Sequence, residues 1–139
     1  TNGVQVDAPV EYVGKTATGA MAAPEGWWNV GWYRLGPAPG EMGNAVLAGH
    51  LDSESGPAVF WRLRELQVGD TVSVVDDRGN TIRFVVRRMQ VYYNDNAPIR
   101  EIFGAADGAY LNLITCDGYF DPDARIYDRR LVVFSERIN

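Results

Sequence analysis

The sequence predicts a single all-β domain carrying two small helical pieces, and three observations lead there. Short runs of β-branched, aromatic and other apolar residues alternate with clusters of Gly, Pro, Asn and Asp, the punctuation of strands and turns rather than of long helices. Seven Tyr, five Phe and four Trp supply much of the apolar area, and aromatic side chains favour strands and the walls of grooves. The 139 residues are 46% hydrophobic, enough for one core without disulfides or a structural metal. With neither an internal repeat nor a long linker, residues 1–139 read as one domain.

Residues 1–26 are rich in small residues, Gly and Pro, with short apolar pairs at Val4 and Val6 and from Val10 to Val13. This predicts an extended arm with up to two short strands. Residues 29–33 form the next expected strand, and Gly36-Pro37-Ala38-Pro39-Gly40 is a rigid turn into the apolar run Asn44-Ala45-Val46-Leu47-Ala48-Gly49-His50. That strand is expected to end at the histidine. In residues 58–66, Val59, Leu63 and Leu66 recur at helical spacing behind Pro57, which predicts a short helix. Residues 71–75 and 81–92 read as a hairpin, with Gly79-Asn80 as the turn signal. Residues 94–98 break the chain, and residues 99–103 suit one helical turn. Residues 109–115 are expected as a strand ending at Cys116, followed by a polar loop over 117–128 and a last strand over 130–137.

Composition narrows the function classes. A net charge of −5, with no basic run interleaved with aromatics, repels phosphate backbones, so no nucleic acid partner is expected. One Cys and one His cannot build a metal-ligand cluster, and a lone Cys cannot form an internal disulfide. No metal or cofactor is expected. No run of about 18 apolar residues and no signal-peptide pattern is present. Thr1 opens in mid-phrase, so a preceding segment is expected.

The lone His50, the lone Cys116 and the pair Arg129-Arg130 all fall at ends of expected strands, where a framework hands over to loops. A thiol near pKa 8.5 beside an imidazole near 6.5 exists as the thiolate–imidazolium pair in only about one molecule in 100. Neighbouring positive charge enlarges that fraction. A guanidinium also offers permanently charged N–H donors for the oxygen that turns negative when a carbonyl is attacked, a task suited to Arg130. The imidazole can protonate a leaving amine and accept a proton from an incoming nucleophile. Each residue also has a plainer role: a buried small hydrophobe for Cys116, a hydrogen-bonded strand-end residue for His50, a solvated charge for Arg130.

Local wording adds a resemblance. Leu113-Ile114-Thr115-Cys116 resembles the TLxTC signature of sortases, with Asn112 where the first Thr usually stands. The segment Ala45-Val46-Leu47-Ala48-Gly49-His50-Leu51-Asp52-Ser53 is similar to the family's histidine segment. Tyr127-Asp128-Arg129-Arg130-Leu131-Val132-Val133 resembles its terminal arginine strand. The order His, Cys, Arg also agrees, and the likeness runs from about Gly31 to Glu136. Gly56-Pro57-Ala58-Val59-Phe60, soon after the histidine, looks most like class F, with class E next.

The resemblance implies an eight-stranded sortase-type β-barrel with one or two short helices. It implies Cys116 as nucleophile, His50 as proton partner and Arg130 as oxyanion donor. The implied reaction is cleavage of an LPXTG-like sorting signal between Thr and Gly through a thioester, resolved by an amine of a peptidoglycan precursor. The implied setting is the outer face of the membrane of a Gram-positive-type bacterium, held by an N-terminal anchor outside this chain. No acidic cluster matches the calcium site of some class A members. Side chains alternate across a strand, so only one of Arg129 and Arg130 can face the thiol, and Arg130 directly precedes the apolar run.

Thr115, next to the nucleophile, is expected to contact the bound peptide. Asp52 is a candidate to orient His50, and Trp27, Trp28 and Trp32 are candidates for pocket walls. Two other functions fit the same residues: a cysteine hydrolase in which water resolves the acyl-enzyme, and a non-catalytic β-sandwich binding module with Cys116 buried.

Overall fold

The computed structural model describes residues 10–15, 21, 23–53, 55–76, 78–93, 98–121 and 126–138, and residues 53, 116–121 and 126–127 by backbone course alone. The expected arm therefore lies largely outside the described residues, as does most of the break at 94–98. The strands are β1 (Val10–Val13), β2 (Val30–Tyr33), β3 (Gly43–Ala48), β4 (Asp52–Ser53), β5 (Gly56–Pro57), β6 (Thr71–Val75), β7 (Thr81–Tyr93), β8 (Ala109–Asp121) and β9 (Ile126–Arg137). One helical turn, α1 (Ile99–Phe103), precedes β8.

Seven strands make one curled sheet in the order β1-β2-β3-β8-β9-β7-β6, and β4 pairs with β5 in a separate ribbon. The all-β expectation is borne out, and among the described residues the strands do not divide into two stacked sheets. The centre of the sheet is β3, β8 and β9. Ala45, Leu47, Leu111, Leu113, Leu131 and Val133 on one face pack with Val59, Phe60, Leu63, Leu66, Phe84 and Val86. Val46 and Val132 on the other face pack with Ile102 of α1, joined by Tyr33, Phe103, Ile114 and Phe134. Covered on both faces, these strands read in sequence as nearly continuous apolar runs rather than alternating ones.

A five-residue helix is marginal alone, so α1 is held by contacts. Ile102 is 2% exposed, and burying such a side chain contributes roughly 2 kcal/mol. Beside it, the buried Asn112 donates its side-chain amide to Ile102 O at 2.9 Å, and Asn44 donates to Gly104 O at 2.8 Å. Asn112 thus anchors α1 to the sheet, a reach that a threonine at this position lacks.

Three expectations need correction. Residues 58–66 are not a helix: a 3-10 turn spans only Leu63–Glu65. The amides of Ala58, Val59 and Phe60 donate instead to the carbonyls of Leu51, Trp27 and His50, so the backbone there belongs to long-range pairs. Val59, Leu63 and Leu66 are nonetheless all buried, as their spacing indicated. Second, β8 runs past Cys116 to Asp121 and β9 starts at Ile126, which replaces most of the expected loop. The pairs Phe120↔Tyr127 and Asp121↔Ile126 continue the ladder beyond an irregularity between Asp117 and Phe120. Backbone pairing needs no apolar side chains, so a polar segment can extend a strand. Third, β3 stops at Ala48, two residues before His50.

Candidate active site

Sheet order brings Cys116 and Arg130 to neighbouring strands, and the segment bearing His50 leaves β3 on the other side of β8. β8 and β9 are antiparallel with Cys116 opposite Arg130 and Asp117 opposite Arg129. β3 and β8 are parallel with Ala48 opposite Ile114, and the Gly49 amide donates to Ile114 O at 3.1 Å, so the chain leaving β3 follows β8 toward Cys116. Of Cys116 only the backbone position is described.

The two arginines are separated as alternation requires. The Arg129 guanidinium lies 4.8 Å from the centre of the Tyr93 ring, donates to the Tyr93 hydroxyl at 3.3 Å, and has Nε 3.8 Å from Asp128. Arg130, half-buried, is the cross-strand partner of both Cys116 and Tyr92.

Thr115 is 3% exposed, and its hydroxyl donates to Gly49 O at 2.9 Å. Its side chain therefore ties β8, next to Cys116, to the segment carrying His50.

The His50 backbone is fixed where the Phe60 amide donates to its carbonyl at 3.0 Å. Its ring meets Trp27, which the sequence offered as a pocket wall, and Pro24, which it did not flag. His50 Nε2 lies 2.6 Å from Pro24 O, and a carbonyl only accepts, so Nε2 carries the hydrogen and donates it. The Trp27 ring meets the imidazole edge-on at 4.5 Å between centroids. Asp52, the expected orienter, is in β4, where it pairs with Pro57 of β5.

The segment holding Pro24 and Trp27 is itself gathered by Glu11 of β1. The Glu11 carboxylate accepts from the amides of Glu25 and Gly26 and from the Asn29 side chain, at 3.0, 2.9 and 2.7 Å. The Gly26, Asn29 and Glu25 donors hold its carboxyl below the usual range, and charge on His50 acts more weakly in the same direction. These contacts span 14 to 26 residues of sequence, and no local periodicity signals them.

Of the three candidate wall tryptophans, Trp27 touches His50. Trp32 packs on the core with its Nε1 donating to Pro37 O at 3.0 Å, and Trp28 is 62% exposed. Among the described residues no group of three or more His, Cys, Asp or Glu could hold a metal.

Known proteins resemble this chain over most of its length. Residues 2–138 match the family model described as the sortase domain. Among solved structures, sortase C1 of Streptococcus agalactiae in complex with MTSET is 25% identical with a TM-score of 0.64, over 79% of this chain and 55% of that one. Sortase C-1 of Actinomyces oris is 25% identical with a TM-score of 0.64, over 79% and 57%. Sortase C1 of Streptococcus suis, 20% identical with a TM-score of 0.64 over 92% and 65%, shares the fold. This chain thus spans somewhat over half the length of the sortase structures it matches. No curated protein matches it. With the family model covering nearly its whole length, the chain belongs to the sortase family.

Proposed function

We propose that the chain is a cysteine transpeptidase that acts on an LPXTG-like sorting signal. The observation that carries this is the register: Cys116 opposite Arg130, with the segment bearing His50 tied to β8 through Gly49 and Thr115. The Cys116 thiolate attacks the carbonyl carbon of the Thr–Gly bond, and Arg130 donates to the oxygen that gains the negative charge. As the intermediate collapses, the C–N bond breaks and the His50 imidazolium passes its proton to the departing amine, leaving a thioester. An incoming amine then attacks the thioester carbonyl, neutral His50 takes its proton, and the thiolate departs. Thr115 serves as the tie that keeps the two segments in step.

The amine is proposed to come from a peptidoglycan precursor, with water as a slower acceptor. The setting is the outer face of the membrane of a Gram-positive-type bacterium, with an anchor preceding the chain. Among the described residues no helix is long and apolar enough to cross a membrane. The class is proposed as F, with E as the alternative, on the segment from Gly56 to Phe60. The solved structures matched are named C1, at 20 to 25% identity.

Intact-mass spectrometry of the chain mixed with LPXTG-like and LAXTG-like peptides tests the chemistry. A thioester adduct is expected on Cys116, discharged faster by an added amine than by water. No adduct across the panel removes the substrate class, and discharge indifferent to amine makes the chain a hydrolase.

A further inference from the structure

The histidine ring meets a backbone carbonyl, and the turn that carries this carbonyl is gathered by one carboxylate. Glu11 stands on β1, which pairs in parallel with β2 through Val10↔Val30 and Glu11↔Gly31, so its own position is fixed by the sheet. Its two oxygens accept three N–H donors from Glu25, Gly26 and Asn29. The turn closes on itself where the Asn29 amide donates to Gly26 O at 3.2 Å, and it is pinned on the far side where the Val59 amide donates to Trp27 O at 3.0 Å. The turn fits closely: a Cβ on Gly26 would come within 2.5 Å of the Asn29 side-chain Nδ2, and one on Gly31 within 3.2 Å of the Pro24 ring. The outcome is a buried Pro24 whose carbonyl faces His50 Nε2 at 2.6 Å, with the Trp27 ring alongside.

We propose that Glu11 is a positioning residue for His50: by ordering the turn it fixes the Pro24 carbonyl on Nε2 and so assigns Nδ1 as the atom that exchanges protons with the sulfur and the amines. This rests on the transpeptidase chemistry proposed above. In the imidazolium both nitrogens carry hydrogen; Nδ1–H gives its proton to the leaving amine, and the bare Nδ1 takes one from the incoming amine. Nε2–H stays on Pro24 O throughout, so the ring neither flips nor changes tautomer between the two halves of the reaction. A ring released from that carbonyl distributes its neutral form over both tautomers, and half of the tautomeric choice presents the wrong nitrogen to the sulfur.

The chain has a single histidine, so long-range 15N–1H spectra of histidine-labelled protein report this ring alone. Above the imidazole titration, the Nε2–H tautomer is expected to dominate. Glu11→Gln keeps the shape but brings an NH2 against the turn amides, so it is expected to give mixed tautomers and a fall of about tenfold in single-turnover thioester formation, the scale of a small misplacement of a catalytic group. Glu11→Asp, which retains the carboxylate, is expected to recover most of both. Asn29→Ala loosens the same turn without touching Glu11 and carries the test if Glu11 variants do not fold. A folded Glu11→Gln protein with an unaltered tautomer, or with an unaltered thioester rate, overturns the proposal. A tautomer change on Glu11→Gln in a chain that acylates with no peptide sinks the transpeptidase chemistry and leaves the positioning of the ring standing.

Discussion

Residues of the same type one position apart have different surroundings here. Arg129 stacks on Tyr93 and lies close to Asp128, whereas Arg130 shares a register position with Cys116. Arg130→Ala is therefore expected to lower thioester formation by about 10²- to 10³-fold, the usual loss on removing an oxyanion donor. Arg129→Ala is expected to leave the rate within a few-fold, and its partly exposed contacts are worth at most about 1 kcal/mol. Single-turnover acylation and denaturant unfolding of both variants check this, and the reverse ranking would move the oxyanion role to Arg129. This distinction is legible in the sequence because strand alternation is local. It could not show that Thr115 turns its hydroxyl to Gly49, since that bond joins residues 66 positions apart.

Among elements, the link between β3 and the histidine is closely packed. Gly49 is buried, and a Cβ added there would lie 2.7 Å from both Val59 and Phe60, which are themselves packed in the core. Gly49→Ala is expected to cost about 1–3 kcal/mol through overpacking. It should also slow acylation by displacing His50, read as a lower unfolding midpoint together with a lower single-turnover rate. A variant as stable and as fast as the parent would show that residues 58–60 yield easily. Strands were legible wherever an apolar or alternating pattern met a turn signal: β2, β3, β6, β7 and α1 fall close to where the sequence puts them. The misread elements share one cause. Backbone partners of residues 58–60, and the polar ends of β8 and β9, are set by distant segments that side-chain periodicity does not encode. The Pro24 to Asn29 turn escaped for the same reason, its organiser Glu11 being a carboxylate in an unpatterned arm.

For the molecule as a whole, acid should loosen the surface before it reaches the core. The amides of Gly26 and Glu25 with the Asn29 side chain lower the carboxyl of Glu11, the Arg62 side chain lowers that of Glu65, and chiefly the Asn80 amide lowers that of Asp76. A carboxyl whose folded pKa is lowered contributes stability that is full above its unfolded value and lost as pH falls through the folded one. Melting temperature is therefore expected to hold steady from neutral pH to about 5 and to decline below about 4, near and beneath the reference values of 4.5 for Glu and 3.8 for Asp. A melting temperature that rises on acidification below pH 4 would contradict this. The parallel union of β3 with β8 bears on the life of the molecule before it is finished. Parallel strands cannot form from a local hairpin, and pairs so remote in the chain are slow to close. Until they meet, the segment bearing His50 is not tied alongside β8, so the chemistry proposed for Cys116 would arrive only with the completed sheet.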